Sequence, residues 1–167
     1  MRRFTADLIR PGIALYGGAS QAGVANPMRP VVRLDARIIQ VREIPAGTGV
    51  GYGLTFTAPD ARRIATIGIG YADGWPRSLG NRGAAWHAGA RLPIAGRVSM
   101  DSITLDVTAL PPGTLKLGDA VQLIGPHQTL EQVAADAGTI AYEILTGLGS
   151  RFARIHVDGH PLTGSNA

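Results

Sequence analysis

Three of the four tyrosines in this chain stand next to a glycine, and this arrangement is the first one that suggests chemistry. The three are Tyr16, Tyr52 and Tyr71. Because glycine has no Cβ, a ligand or a second stretch of backbone can come close to such a tyrosine. The hydroxyl can then donate or accept a hydrogen bond, or move a proton. An ordinary packing role, with the ring on a sheet and the hydroxyl at the surface, stays open for each.

Arg10 is a second candidate, because it is a charge within the otherwise apolar run 8–17. The run predicts a buried strand, and a buried arginine is costly unless it is paired. One interpretation is a salt bridge at the end of a strand. The other is a fixed cation beside a ligand, with the amides of Gly12 and Ile13 available to an anion.

Several familiar kinds of site are absent from the sequence. There is no cysteine, so a disulfide framework, a thiolate zinc site and a cysteine nucleophile are excluded. The glycines of 47–53 do not match the dinucleotide-binding spacing, and no phosphate-binding loop with Gly-Lys occurs. His156, Asp158 and His160 have suggestive spacing, but the segment reads as a strand that runs into a glycine turn. A polar terminus is therefore favoured over a metal site.

Lysine is nearly missing from the basic residues. Of the 16 lysines and arginines only Lys116 is a lysine, and the net charge is +4. An excess of this size could attract a phosphate-bearing ligand or RNA. A basic β-barrel that binds single-stranded nucleic acid is therefore one alternative, although the arginines form no stripe with interleaved aromatic residues. A purely structural dimerisation module is another.

The elements that must position these residues are mostly short strands. The 23 glycines and 11 prolines among 167 residues indicate many turns and few long helices. Alternating or apolar runs predict strands over 31–42, 50–57, 62–71, 91–94, 96–100, 102–107, 120–124 and 154–157. A capping pattern at Thr129 and Gln132 predicts one short helix, and 140–148 a second. This pattern is typical of a mainly β, antiparallel barrel or sandwich.

The chain shows no sign of a membrane segment or a secretory leader. No apolar run reaches 18 residues, and the basic residues near Met1 are not followed by an apolar stretch. We therefore expect no membrane partner and a cytoplasmic location, with which the lack of cysteine agrees.

Five short motifs in a fixed order carry a resemblance to a known family. They are Ile9–Gly17, Val50–Gly53, Ile69–Arg77, Gly96–Asp101 and Ala141–Glu143. Together they resemble the alanine racemases, pyridoxal-phosphate enzymes that interconvert L- and D-alanine. The similarity runs from about Asp7 to Gly159. The resemblance implies that the protein supplies D-alanine for peptidoglycan. Within the family, a broad-specificity amino-acid racemase is the alternative. The resemblance implies no nucleic-acid partner.

The resemblance also implies a domain organisation. Family members have an N-terminal (β/α)₈ barrel, which takes about 250 residues, and a β-rich C-terminal domain. Residues 1–27 would be the last barrel strand with its following segment, 28–160 a Greek-key, β-barrel-like C-terminal domain with two short helices, and 161–167 a tail. The family's cofactor-binding lysine lies in the barrel, and Lys116 matches no family motif. We therefore expect this chain by itself to be inactive.

The site residues follow from the same resemblance. Tyr52 would be the base that takes the α-proton of L-alanine, and Met100 would bind the substrate carboxylate through its amide. Arg10 would face the pyridine nitrogen of the cofactor, a position from which a residue can tune the electronic properties of the cofactor ring. The cofactor phosphate would be held by the backbones of Gly12 and Ile13 and the hydroxyl of Tyr142. Residues implied to line the access to the site are Tyr71, Arg77, Arg97, Asp101 and Ile140.

The family site is shared between two subunits of a homodimer. Tyr52 and Met100 would face the cofactor held by the partner subunit. The cofactor of the chain's own subunit would be contacted by Arg10, Gly12, Ile13 and Tyr142.

Overall fold

The computed structural model describes residues 7–21 and 23–157, and eight strands dominate it. They are β1 (Leu34–Ile44), β2 (Gly49–Val50), β3 (Phe56–Thr57), β4 (Arg62–Ile67), β5 (Ala84–His87), β6 (Ala90–Pro93), β7 (Ile103–Asp106) and β8 (Ala120–Ile124). Six of them form an antiparallel sheet in the order β6-β5-β8-β1-β4-β7, and β2 pairs with β3 as a separate hairpin.

The six-stranded sheet curls until its two outer strands meet. An antiparallel bridge joins Ile94, which follows β6, to Leu105 in β7. Beside it, the amide of Ala95 donates to the carbonyl of Thr104 at 2.9 Å. These bonds pair backbone groups that the two edge strands would otherwise leave unpaired. They also close the sheet into a nearly complete barrel.

The strand order is that of a Greek key. Strands β5, β6 and β7 follow one another as neighbours, and β8 returns to lie beside β5. The spatial order β8-β5-β6-β7 is the four-strand arrangement that defines the motif. The expected mainly β, Greek-key, barrel-like fold with two helices is confirmed.

Alternation along β1 places the core inside the barrel. Leu34, Ala36 and Ile38 are buried and the residues between them are exposed. A bulge after Ile38 shifts the register against β4, and the apolar residues that follow face outward until Ile44. The interior holds mainly aliphatic side chains, among them Ile38, Ile67, Leu92, Ile103, Leu105, Val121 and Leu123.

A second, smaller core lies under the β2–β3 hairpin. Its members are Ile44, Val50, Ala58, Ile64 and Ala95, with Phe56 packed against them. Backbone bonds from Gly47 to the Ala58 carbonyl and from Ala58 to the Thr48 carbonyl, at 2.8 and 2.9 Å, close the base of the hairpin. This small core fixes the hairpin, and hence its tip, on the barrel.

Two helices pack on the barrel late in the chain. Helix α1 (Leu130–Ala137) begins at Thr129, whose hydroxyl accepts from the amide of Gln132 as the capping pattern predicts. Helix α2 (Ala141–Gly147) buries Ile144. Short 3₁₀ helices cover Gly12–Tyr16, Tyr71–Asp73 and Arg77–Leu79. No helix within the described ranges is both long and apolar enough to cross a membrane.

The prediction of a buried strand over 8–17 is wrong. Residues 12–16 form a 3₁₀ helix, and Leu8, Ile9 and Leu15 are exposed while Ile13 alone of the apolar residues in the run is buried. A strand needs a neighbour to pair its backbone groups, and no described segment pairs with this one. The backbone bonds close locally instead, from Gly17 to Ala14 and from Gly18 to Ile13.

The predicted strand over 50–57 is also wrong, and its correction matters for the site. The segment folds back on itself as β2, a turn at 51–54 and β3. Gly51, Gly53 and Leu54 have φ values of 77°, 72° and 50°. Residues in an extended strand have negative φ values, so a continuous strand cannot pass through these three positions. Strands expected over 96–100 and 154–157 are likewise absent, the strand expected over 62–71 ends at Ile67, and β5 was not predicted.

Candidate functional site

The structure sorts the candidate residues into two groups. We call Arg10, Gly12, Ile13 and Tyr142 the Tyr142 cluster. We call Tyr52, Tyr71, Arg97, Met100 and Asp101 the Tyr52 cluster. Among the described residues, no hydrogen bond joins a member of one cluster to a member of the other.

The Tyr142 cluster brings together segments from opposite ends of the chain. The amide of Ile13 donates to the hydroxyl of Tyr142 at 3.3 Å. Gly12 has a φ of 56°, and a Cβ built on it would lie 3.1 Å from the same hydroxyl. Glycine at this position therefore allows both the turn and the close approach of the tyrosine.

Two anchors hold this cluster in place. The side chain of Ile13 is buried in the main core. Just after the 3₁₀ helix, the amide of Ala19 donates to Glu131 on α1 at 2.8 Å. Tyr142 itself lies in the first turn of α2, whose Ile144 is buried in the same core as Ile13. The 3₁₀ segment and α2 are thus fixed to one interior, and their polar groups meet at the surface.

The geometry of this cluster suits an anion. The Tyr142 hydroxyl accepts from Ile13 and so keeps its own proton to donate outward. Arg10 is exposed two residues before Gly12, and no described carboxylate forms an ion pair with it. A hydroxyl donor, glycine backbone and an arginine are groups that bind phosphate. The Tyr142 hydroxyl and the backbone of Gly12 and Ile13 therefore fit the phosphate end of pyridoxal phosphate, and Arg10 supplies a cation two residues before Gly12.

Tyr52 stands at the tip of the β2–β3 hairpin, and 70% of its surface is exposed. The hairpin tip packs against the segment that carries Arg97. A Cβ built on Gly51 would lie 2.9 Å from the backbone nitrogen of Arg97 and 2.9 Å from the Cα of Gly96. A Cβ built on Gly53 would lie 3.2 Å from the Nη1 atom of the Arg97 side chain. The phenol therefore projects from a turn flanked by Gly51 and Gly53, and the Arg97 guanidinium lies beside Gly53 of that turn.

Met100 and Tyr71 are tied together by their backbones. The amide of Tyr71 donates to the Ser99 carbonyl at 3.0 Å, and that of Ala72 donates to the Met100 carbonyl at 2.9 Å. A Cβ on Gly70 would overlap both carbonyls, so the two turns are in direct contact. Since Arg97 is three residues before Met100, Tyr52, Arg97, Met100 and Tyr71 belong to one continuous set of contacts.

One residue of this region was missed by the sequence interpretation. Arg151 forms ion pairs with Asp101 at 2.8 Å and with Asp73 at 3.2 Å. Its hydrogen bond to Asp101 and the charges of both carboxylates raise the pKa of Arg151 above its ordinary value. The partners are 50 and 78 residues away along the chain, and no local spacing signals such a pairing.

The remaining candidates lie near these clusters. Arg77 opens a 3₁₀ helix that leads to Gly80, where a Cβ would lie 2.9 Å from the Cα of Arg97. Ile140 is exposed and caps the start of α2, two residues before Tyr142. Lys116 lies on an exposed turn before β8, and that turn bonds to β1 through Gly118 and Ile38. His156 is exposed, whereas Asp158 and His160 lie outside the described residues.

Comparison with known proteins gives a consistent result. Residues 31–156 match the family model of the alanine racemase C-terminal domain. A catabolic alanine racemase of Agrobacterium fabrum is 68% identical over 150 residues, which are 90% of this chain and 39% of the relative. An alanine racemase of Brucella canis is 57% identical over 164 residues, with 90% of this chain and 41% of the relative covered. The chain thus spans about two fifths of the length of these relatives.

Solved structures agree in fold. Alanine racemase from Bartonella henselae with covalently bound pyridoxal phosphate matches with a TM-score of 0.81 and 48% identity, over 87% of this chain and 40% of the other. The enzyme from Streptomyces coelicolor matches with a TM-score of 0.84 and 38% identity, over 92% and 41%. The Greek-key barrel, the two helices and the match over 31–156 lead to one conclusion: the chain belongs to the alanine racemase family and contains its C-terminal domain.

Proposed function

We propose that this chain serves a pyridoxal-phosphate-dependent racemase that interconverts L- and D-alanine, and that it supplies one proton-transfer residue and part of the cofactor site. The observation that carries the proposal is the pair of clusters. One presents an exposed phenol on a rigid turn, and the other presents donors for a phosphate. Both are attached to one barrel, in the family shown by the comparisons.

Racemisation needs a proton removed from one face of the α-carbon and returned to the other. Bound pyridoxal phosphate draws electrons from that carbon and so acidifies its proton. Tyr52 would exchange the proton on one face, as its exposed hydroxyl at the hairpin tip allows. The base for the other face would come from outside this chain, because Lys116 is on a turn bonded to β1, away from the contacts of the Tyr52 cluster.

The other residues would bind and orient. Tyr142, Gly12 and Ile13 would hold the cofactor phosphate, and Arg10 would stand at the pyridine nitrogen. An arginine keeps its protons, so it would leave that nitrogen unprotonated, which would make the ring a weaker electron sink and limit side reactions. The amide of Met100 would bind the substrate carboxylate beside Tyr71.

We propose further that the two clusters serve different sites of a homodimer. Tyr52 and Met100 would reach into the site of the partner subunit, while the Tyr142 cluster would serve the chain's own cofactor. Among the described residues no hydrogen bond joins the two clusters, and this agrees with the assignment to different sites.

The decisive experiment is a chimera in which this chain replaces the matching residues of the Agrobacterium fabrum relative. We expect the chimera to bind pyridoxal phosphate and to racemise alanine in both directions, and we expect the 167-residue chain by itself to do neither. A soluble chimera that binds the cofactor but leaves alanine unchanged would contradict the proposal. Parallel assays with serine, lysine and arginine would distinguish an alanine racemase from a broad-specificity one.

The direction of use in the cell has two candidates. The family role is D-alanine supply for peptidoglycan, whereas the Agrobacterium fabrum relative is described as catabolic. Growth of a D-alanine auxotroph with the chimera and no added D-alanine would support supply. A requirement for the gene only when D- or L-alanine is the carbon source would support catabolism.

A further inference from the structure

The segment that follows α2 packs against the turn that carries Tyr71. The amide of Gly149 donates to the Asp73 carbonyl at 3.0 Å. Gly74 and Gly147 approach so closely that a Cβ on Gly74 would overlap the Gly147 carbonyl. The end of α2 therefore delivers Arg151 to a fixed place beside this turn.

Arg151 joins two carboxylates that belong to different turns. Its Nη1 is 2.8 Å from Asp101 Oδ1, and its Nε is 3.2 Å from Asp73 Oδ1. Asp73 is only 8% exposed, and its second oxygen accepts from the amide of Gly70 at 2.8 Å. Burial of a carboxylate is costly unless a cation and hydrogen bonds compensate for the lost water, and Asp73 has both.

The ion pairs close a ring of contacts. Backbone bonds already link Tyr71 to Ser99 and Ala72 to Met100 on one side. Arg151 links Asp73 to Asp101 on the other side, immediately after Met100. The short stretch that carries the Met100 amide is therefore held at both ends.

We infer that Arg151 is a positioning residue that fixes the Met100–Asp101 stretch against the Tyr71–Asp73 turn, and so orients the amide that binds the substrate carboxylate. The inference rests on the proposed function, because that function assigns the carboxylate to Met100. Arg151 itself would touch neither substrate nor cofactor. It acts only through Asp73 and Asp101.

The expected effect is on substrate binding rather than on folding. The Arg151 side chain is 52% exposed, and ion pairs of such a side chain contribute little to stability; Asp73 also keeps its hydrogen bond from the Gly70 amide when Arg151 is replaced. A displaced Met100 amide weakens the hydrogen bond to the substrate carboxylate equally in the ground state and in the transition state, so the loss is one of binding and not of the chemical step. We expect R151M to raise the KM for L-alanine about tenfold and to change kcat less than about threefold, the pattern of lost binding.

The experiment compares variants of the chimera defined above. R151M removes the charge, and R151K restores a cation that cannot span both aspartates as a guanidinium does. D101N removes one partner, and the double variant R151M/D101N tests whether the two act together. R154M is the matched control, because Arg154 lies in the same segment and, within residues 7–21 and 23–157, bonds only to the Gly149 carbonyl.

Two measurements are made on each variant. Steady-state kinetics give KM and kcat for L-alanine. Amide hydrogen exchange of the cofactor-free chimera reports on residues 70–72, whose amides bond to Asp73, Ser99 and Met100. We expect faster exchange there in R151M, unchanged exchange in β8, an intermediate KM in R151K, and an R151M/D101N variant no worse than R151M.

Other outcomes would overturn the inference. Unchanged KM and unchanged exchange in R151M would show that the ion pairs are incidental. A fall in melting temperature with faster exchange across the whole barrel would show a merely structural role. An unmodified chimera that cannot racemise alanine would overturn the proposed function and this inference with it, whereas these results in an active chimera overturn the inference alone.

Discussion

The amide of Ile13 donates a hydrogen bond to the hydroxyl of Tyr142, although 129 residues separate them in the chain. The bond joins a 3₁₀ turn before the barrel to the first turn of the last helix. It uses the oxygen of the phenol as acceptor and leaves the phenolic proton for a ligand. This one contact brings together the donors that we propose for the cofactor phosphate.

Tyr142→Phe should weaken cofactor binding. The ring stays, but the hydroxyl is lost, and hydrogen bonds to charged groups contribute about 1.5–3 kcal/mol. We expect the Kd of the chimera for pyridoxal phosphate to rise at least about tenfold, since 1.4 kcal/mol corresponds to a factor of ten. Equilibrium dialysis measures it. Tyr16→Phe is the control, and equal affinity in the two variants would argue against a phosphate contact.

Tyr52→Phe should remove proton transfer on one face of the substrate. A positioned acid or base contributes about 10²–10⁴-fold to rate, so exchange of the α-proton of L-alanine with deuterated solvent should fall by that order. Stability should change by less than about 0.5 kcal/mol, because the side chain is mostly exposed. The exchange is followed by NMR and the stability by thermal melting. Wild-type exchange rates in Tyr52→Phe would exclude Tyr52 as the base.

Gly51→Ala should displace Tyr52, and Gly47→Ala provides a matched comparison. Both glycines have a φ near 80°, so each substitution costs about 1–2 kcal/mol from backbone conformation. Only Gly51 is also in contact with Gly96 and Arg97, whereas a Cβ on Gly47 would meet nothing within 4 Å. We expect kcat/KM of the chimera to fall at least about tenfold more for Gly51→Ala. Equal losses would mean that this contact does not orient the phenol.

Leu105→Ala should destabilise the barrel where it closes. Leu105 is fully buried and forms the bridge with Ile94. Large-to-small changes in a core cost about 2–5 kcal/mol. Leu117→Ala, at a position 74% exposed, should change the free energy of unfolding by less than about 0.5 kcal/mol. Urea denaturation measures both, and a similar midpoint for the two variants would contradict the closed barrel.

The local sequence pattern was sufficient to predict strands with a clear apolar pattern and a helix whose first residue is capped. Alternation predicted most of β1, an apolar run predicted β8 over 120–124, and Thr129 marked the start of α1. In each, the residues that decide the structure are close in sequence. The strands expected over 8–17 and 50–57 failed for the opposite reason. Their apolar character was local, but a strand also needs a partner and a compatible φ at every residue.

The sequence by itself determined the family, the mainly β class and the identity of the candidate site residues, because ordered motifs and apolar periodicity are properties of local residue types. Only the tertiary structure decided that Tyr52 stands on a turn, that Ile13 meets Tyr142, and that Arg151 joins Asp73 to Asp101. The physical reason is chain closure. Contacts between residues 50 to 129 apart depend on how the barrel closes and how α2 packs against it, and no short window of sequence contains both partners.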